Sequence, residues 1–264
     1  MNLLNDKEII HYSLMDAITK KIYQNNLPLA LKGGTALLFG YNLDRMSLDL
    51  DFDANKHINL ESVIKESFLS FYGENKLNLI NINLKKDTDD VKRYIIDYKN
   101  LYNNDIFKLK IEMSFRRKFD NDETNIINGK RIFKLPYLFD FKKAAFENRT
   151  ASRDLHDIIF IGNNYADILN SEQIDFIKNI HKNISNVINR YSEAYKEDTI
   201  LKDRFEEDII ILEQIATNKF NMTEKELPQH KHENNPFVNQ ESNKPDAFTQ
   251  SLQNKPEHKI KFGR

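Results

Sequence analysis

The six residues Leu48-Asp49-Leu50-Asp51-Phe52-Asp53 alternate apolar and acidic side chains without a break. Period two is the signature of a β-strand, so Leu48, Leu50 and Phe52 should line one face and three carboxylates the other. Carboxylates two positions apart on a strand stand roughly 7 Å from one another, and burying them unpaired would be costly. The face is therefore either open to water, as on an edge strand, or a set of hard oxygen ligands suited to Mg²⁺. What precedes it bears on that choice. Gly33-Gly34 is an adjacent pair in a chain with only seven glycines. It follows a short apolar strand, Leu29–Leu31, and precedes a short helix opened by Thr35 and running from Ala36 to Tyr41. Free backbone N–H groups and the helix dipole at such a bend favour phosphate, and glycine lets the phosphate approach where a Cβ would collide. A phosphate cradle just ahead of an acidic pair reads as a nucleoside triphosphate (NTP) site, with a divalent metal shared between phosphate and carboxylate. It is not a Walker A loop, because no Gly-Lys-[Ser/Thr] follows.

Two further sets extend the constellation. Ile106–Phe115 alternates again, with Leu109, Ile111 and Met113 opposite Lys108, Lys110, Glu112 and Ser114, which places Glu112 on a polar strand face. Further on, Lys142 and Arg149 lie seven residues apart, two helical turns along one face, and could both address a triphosphate. Asp154 and Asp157, at i and i+3, face one direction on the next helix and are open to a catalytic or a structural role. Three stretches carry a resemblance: Gly33-Gly34-Thr35-Ala36-Leu37, then Arg45-x-Ser47-x-Asp49-x-Asp51, then Lys142-x-x-Ala145-x-x-x-Arg149-x-x-x-Arg153-Asp154-Leu155-x-Asp157. The chain resembles the polymerase-β-type nucleotidyltransferases and, more narrowly, the AbiEii/AbiGii abortive-infection toxins, over residues 28–53 and 105–161. That resemblance implies a two-Mg²⁺ site on Asp49, Asp51 and Glu112; Asp53 shares the face but lies outside the family pattern, and is either a spare ligand or a support behind the ligands. It implies Gly33, Gly34, Thr35, Arg45, Ser47, Lys142 and Arg149 around the nucleotide, and catalytic roles for Lys142 and Asp154. It also implies transfer of a nucleoside monophosphate from an NTP to an acceptor hydroxyl, a tRNA end in some members, and a cognate antitoxin. One departure stands out: many polymerase-β-type enzymes carry serine where this chain has Gly34, so one hydroxyl contact is missing. Residues 165–264 match no such pattern.

The elements that must position these groups follow from periodicity. Ile10, Leu14, Ile18 and Ile22 mark a helix over 6–26, and a second helix, capped by Asn59, carries Val63, Ile64, Phe68 and Phe71. Strands are expected at Leu77–Leu84, Arg93–Tyr98 and Ile106–Phe115, then a hairpin over 125–135 about Asn128-Gly129. Helices are expected at 137–149, 153–163, 171–193 and 198–219, the third with a packing stripe of Ile174, Ile177, Ile180, Ile184, Val187 and Ile188. From Pro228 on, Pro236, Pro245 and Pro256 fall among polar residues, which predicts a disordered or loosely docked tail. The expected fold class is α+β: a mixed-sheet nucleotidyltransferase domain flanked by helices (1–136), a helical bundle domain (137–227) and a polar tail (228–264).

Composition sets the outer bounds. Of 264 residues, 40% are hydrophobic, enough for a sizeable core. Lys+Arg (39) nearly balance Asp+Glu (40), so any nucleic-acid partner must be read from local patches. Arg116-Arg117-Lys118 after the Glu112 strand, and Lys130, Arg131 and Lys134 on the hairpin, fit an RNA backbone beside the site or serve only solubility. The absence of cysteine excludes disulfides, thiolate metal sites and thiol nucleophiles. No 18-residue apolar run is present, and Asp6, Lys7, Glu8 and Asp16 interrupt the N-terminal pattern as no signal peptide would; a cytoplasmic protein with no membrane partner is expected. Two alternatives remain open, transfer to a small molecule and a non-catalytic nucleotide- or RNA-binding module. A metal-dependent hydrolase is disfavoured, since His57, His156 and His181 lack paired ligand spacing.

Overall fold

The computed structural model describes residues 6–71, 77–100 and 105–219. Seven strands form one mixed sheet: β1 (Leu29–Lys32), β2 (Asp49–Ala54), β3 (Leu77–Asp87), β4 (Val91–Asn100), β5 (Ile106–Ser114), β6 (Thr124–Ile127) and β7 (Lys130–Phe133), in the order β3-β4-β5-β2-β1-β7-β6. The β2–β5 and β1–β7 pairs are parallel, the others antiparallel. Eight helices accompany it among the described residues: α1 (Asp6–Gln24), α2 (Gly33–Tyr41), α3 (Glu61–Phe71), α4 (Leu135–Asn148), α5 (Ser152–Asn164), α6 (Ser171–Lys182), α7 (Ile184–Glu197) and α8 (Phe205–Gln214). The tail expected from residue 228 lies outside the described residues.

Alternation decides which sheet face is core. Leu50, Phe52, Tyr94, Ile96, Tyr98, Leu109, Ile111 and Met113 are all but fully buried. Leu14 and Ile18 of α1 and Val63, Ile64 and Phe68 of α3 are buried too, with Phe68 edge-on to Tyr98 at 5.8 Å. Removing this apolar surface from water is the main stabilising term. Asn59 caps α3 as expected, its Oδ1 accepting the Glu61 N–H at 2.8 Å. Asn128 (φ 49°) and Gly129 (φ 70°) make the two-residue hairpin turn that joins Ile127 to Lys130.

Several expectations need correction. Leu48 does not join the core face; β2 starts at Asp49, and Leu48 is 37% exposed while its carbonyl accepts from His11 Nε2 at 2.9 Å. The short helix opens at Gly33 rather than after Thr35. The helix expected over 171–193 is two, because Asn183 (φ −105°, ψ 29°) ends α6 and begins α7. Its stripe is split accordingly, with Ile177, Ile180 and Val187 buried and Ile188 exposed. The helix expected from 198 starts at Phe205, since Asp198 Oδ1 accepts the backbone N–H groups of Ile200 and Leu201 and holds a turn there. Its last residues, Ile215–Lys219, take the wider π form. Among the described residues no helix is long and apolar enough to cross a membrane.

Candidate active site

Parallel pairing of β2 with β5 sets Asp49 opposite Lys110, Asp51 opposite Glu112 and Asp53 opposite Ser114. Paired residues share a face, so Asp51 and Glu112 stand side by side on strands roughly 4.8 Å apart. Asp49, Asp51 and Glu112 keep about a quarter to two fifths of their side chains in solvent. Asp53 shares the face but is buried, paired with Lys32 at 2.5 Å and Arg117 at 3.8 Å. Lys110 Nζ lies 2.9 Å from Asp49 and 3.6 Å from Asp51, and Arg93 lies 2.6 Å from Glu112. Burial raises the pKa of Asp51; the Asp49 and Glu112 charges raise it further, against the pull of Lys110 and Lys32. The three acids therefore feel one another's charge. Their hard oxygens suit a divalent cation. Among the described residues, no three acidic or histidine side chains are gathered closely enough to hold a metal ion, and the charge is balanced instead by the chain's own Lys110 and Arg93.

The glycine bend abuts these acids. Gly33 has φ +73°, and a Cβ there would stand 3.3 Å from Asp51 Oδ2, so the bend rests directly on the carboxylate. A Cβ on Gly34 would meet Arg45 Nη2 at 2.8 Å and Ser47 Oγ at 2.9 Å. A serine at position 34 would have to displace the Arg45 guanidinium and the Ser47 hydroxyl, which already occupy the space beside the bend. The first turn of α2 has no side-chain cap, which leaves its amides available to an anion. Thr35 is buried; its hydroxyl donates to the Asp49 carbonyl and hydrogen-bonds with Ser47 Oγ at 2.9 Å. It thereby stitches the start of α2 to the start of β2.

Beneath the bend lies a second charged cluster. Arg45 grips Asp157 with two hydrogen bonds of 2.7 Å. Lys142 Nζ stands 2.7 Å from Asp157 and 3.0 Å from Asp154, and Arg149 Nε donates to Asp154 at 2.6 Å. Both aspartates are fully buried. Burial alone would raise the Asp157 pKa, but Arg45 and Lys142 outweigh it and hold it down at about 2. Arg149 differs from its neighbours: 63% of its side chain is exposed, and its pKa is raised first by the bond to Asp154 and also by the charge of Asp51. Thus Arg45, Thr35 and Lys142 sit under the bend, whereas Arg149 faces outward near the carboxylates. Arg153 instead pairs with Asp198 at 2.8 Å.

The loop between α2 and β2 is braced as well. Asp44 accepts from His156 Nε2 at 3.0 Å and from Arg204 at 2.5 Å, and His156 Nδ1 bonds Asp208 at 2.9 Å. Burial would lower the His156 pKa, yet its bonds to Asp208 and Asp44 raise it to about 9. Sequence alone does not disclose this brace, whose members are 112 and 52 residues apart. Lys110 was open to discovery, because it shares the strand alternation of Glu112. One residue from each basic cluster expected to meet RNA is engaged within the fold. Arg117 lies over the rings of Phe133, Tyr137 and Phe141 and pairs with Glu123, and Lys130 is buried against Asp16 at 2.6 Å.

A mixed sheet that sets a Gly-Gly bend against an Asp-x-Asp strand, with a third acid on the parallel neighbour, defines a nucleotidyltransferase. The family model for the nucleotidyl transferase AbiEii toxin of type IV toxin–antitoxin systems matches residues 14–252. The chain belongs to that family. Among solved structures it is similar to JHP933 from Helicobacter pylori, at 35% identity over 81% of this chain and 92% of that one, with a TM-score of 0.74. It is also similar to a putative nucleotidyltransferase from H. pylori, at 32% identity over 83% and 100% of the two chains, with a TM-score of 0.72. No curated protein matches it.

Proposed function

We propose that this chain transfers a nucleoside monophosphate from an NTP to a hydroxyl of RNA, a tRNA end being the candidate acceptor, in the cytoplasm and under the restraint of a cognate antitoxin. The observation that carries this is the closeness of Gly33 to Asp51, where a Cβ on the glycine would stand 3.3 Å from Oδ2: a triphosphate lying on the bend would have its phosphates beside the acids. In this reading the backbone N–H groups of Gly33 and Gly34 donate to phosphate oxygens, with Thr35, Ser47 and Arg45 fixing the shape of the bend. Arg149 offsets charge on the leaving phosphates, while Lys142, anchored by Asp154 and Asp157, adds its field from below. Asp49, Asp51 and Glu112 would hold two Mg²⁺ ions, which supply activation of the acceptor oxygen and neutralisation of the leaving pyrophosphate when bound. The acceptor oxygen bonds to the α-phosphorus as the bond to the bridging oxygen breaks; pyrophosphate departs, and the acceptor proton leaves to solvent past the half-exposed acids.

The test is incubation with each α-labelled NTP, Mg²⁺ and total RNA, beside an Asp49→Ala/Asp51→Ala variant. Label entering RNA with wild type alone is the expected result. Label entering a small molecule of a cell extract would move the acceptor to that class, and label with neither protein would leave a binding module. The loss expected in the variant is several kcal/mol of transition-state stabilisation, about a thousandfold or more in rate.

A further inference from the structure

The carboxylate face does not end at Glu112. Across β4 it continues through Arg93, Ile95, Asp97 and Lys99, which pair with Glu112, Lys110, Lys108 and Ile106 of β5. On β3 the residues opposite them are Lys86, Asn83, Asn81 and Asn78. That set depends on two irregularities in β3, at Leu79/Asn81 and Leu84/Lys86. Each inserts one residue and so shifts the alternation. Strict period two from Asn78 would have brought Ile80, Ile82 and Leu84 onto the carboxylate face. The first bulge instead sets Ile82 and Leu84 opposite Ile96 and Tyr94, on the side of Leu79 and Tyr98, and the second returns Lys86 to the open face, which is thereby polar along β3.

This face is also accessible and basic. Asn81, Lys86 and Lys108 are exposed, and Arg93 has 41% of its side chain in solvent. On this face of the three strands Asp97 is the one acid beyond Glu112, and it accepts from Asn83 at 3.0 Å; Asp87, at the end of β3, lies opposite Lys92 and pairs with it. Unlike Arg117 and Lys130, the cations Lys86, Lys99 and Lys108 have no ion-pair partner among the described residues. We infer that the face of β3, β4 and β5 is the track on which the single-stranded end of the RNA acceptor lies, leading its terminal hydroxyl to Asp51 and Glu112. Phosphates meet Lys86, Lys99 and Lys108; the asparagine amides meet base edges, which a single strand exposes and a duplex hides. Three strands span only about 14 Å, a width suited to one strand. An acidic protein segment would satisfy the lysines but make no use of the asparagine row, in which Asn81 donates to Asn83 at 3.0 Å and Asn83 to Asp97, so that the row is held in place along the face. The inference rests on the proposed reaction for its direction, since the track gains meaning from the acids at its end.

The test uses the full chain and a labelled single-stranded oligoribonucleotide with a free 3′ hydroxyl, followed by fluorescence anisotropy across a salt series. Lys86→Glu/Lys108→Glu should weaken binding at least tenfold and lower the salt slope by about 1.4, the value for two phosphate contacts on a single strand, with the melting temperature and NTP binding unchanged. Asp49→Ala/Asp51→Ala should bind the oligonucleotide as well as wild type or better. Unchanged binding in the lysine variant overturns the track, as does equal binding of a same-length duplex or of polyglutamate that is lost with the same substitutions. The two claims fail separately. RNA bound through the lysines with no nucleotide transferred removes the reaction and leaves the track, whereas transfer with no effect of the lysines on RNA affinity does the reverse.

Discussion

The protein holds two clusters of aspartates with lysine and arginine, alike in composition and opposite in setting. On the sheet, Asp49, Asp51 and Glu112 lean on Lys110 and Arg93 with a substantial share of every side chain in water. Under the bend, Asp154 and Asp157 are sealed from water and held by Arg45, Lys142 and Arg149. An exposed ion pair is worth about 0–1 kcal/mol and exchanges readily for another partner. A sealed pair is different: removing one member strands the other charge at low dielectric, a loss of about 3–5 kcal/mol. The first cluster is therefore free to trade its cations for a ligand, while the second fixes the loop that carries Arg45 and Ser47. In the proposed reaction the same residue types serve as reagent in one place and frame in the other, and burial makes the difference.

The widest separation between the two is in stability. Asp157→Ala should lower the unfolding free energy by about 3–5 kcal/mol, because Arg45 and Lys142 lose their shared partner. Asp51→Ala should leave it within about 1 kcal/mol of wild type, since that carboxylate is already repelled by Asp49 and Glu112. Urea denaturation of both variants reads this directly. A stable Asp157→Ala protein beside a collapsed Asp51→Ala protein would exchange the roles of the clusters.

The open cluster was the more legible of the two in sequence, for a physical reason. Its residues sit on strands, and strand alternation is local: Asp49, Asp51 and Glu112 could each be assigned a face from their immediate neighbours. The Gly33-Gly34 bend and the Asn128-Gly129 turn were equally local, being places where backbone geometry selects the residue. The sealed cluster depends on contacts 112 residues apart, between Arg45 and Asp157, and no periodicity reports those. Lys142 and Arg149 thus looked alike by spacing, yet one is buried and the other faces solvent. The bulges in β3 and the break at Asn183 escaped for a related reason. No proline or glycine marks them, and tertiary packing rather than local propensity selects them.

The brace on the loop gives a way to sharpen the contrast through pH. His156 is buried between Asp44 and Asp208, with Arg204 and Tyr195 bonded to the same two acids. Its folded pKa of about 9 lies above the ordinary 6.5, so its charged form stabilises the fold. That contribution is complete below pH 6.5 and fades as the pH rises through 9, on the order of 3 kcal/mol in all. Denaturation of wild type between pH 6.5 and 9.5 should show this decline, and His156→Gln, less stable at the outset, should be flatter over the same range. Parallel curves for the two proteins would remove His156 from the frame. The sheet cluster should be indifferent to the substitution, with its affinity for Mn²⁺ unchanged wherever the protein is folded.

The smallest effect concerns Lys110, the ammonium group that stands 2.9 Å from Asp49 and 3.6 Å from Asp51. If the open cluster trades cations, Lys110 is the competitor a divalent ion must displace, and its removal should tighten metal binding. Lys110→Met keeps an unbranched side chain one atom shorter and deletes the charge. One half-exposed pair is worth up to about 1 kcal/mol, so the gain in Mn²⁺ affinity by titration calorimetry should be up to about fivefold. Lys108→Met, one step along the same face and opposite Asp97 rather than Asp49, should change it little. Weaker Mn²⁺ binding in Lys110→Met would reverse the inference: the lysine would then be organising the acids for the ion rather than holding its place, and the sheet cluster would be more frame-like than its exposure suggests.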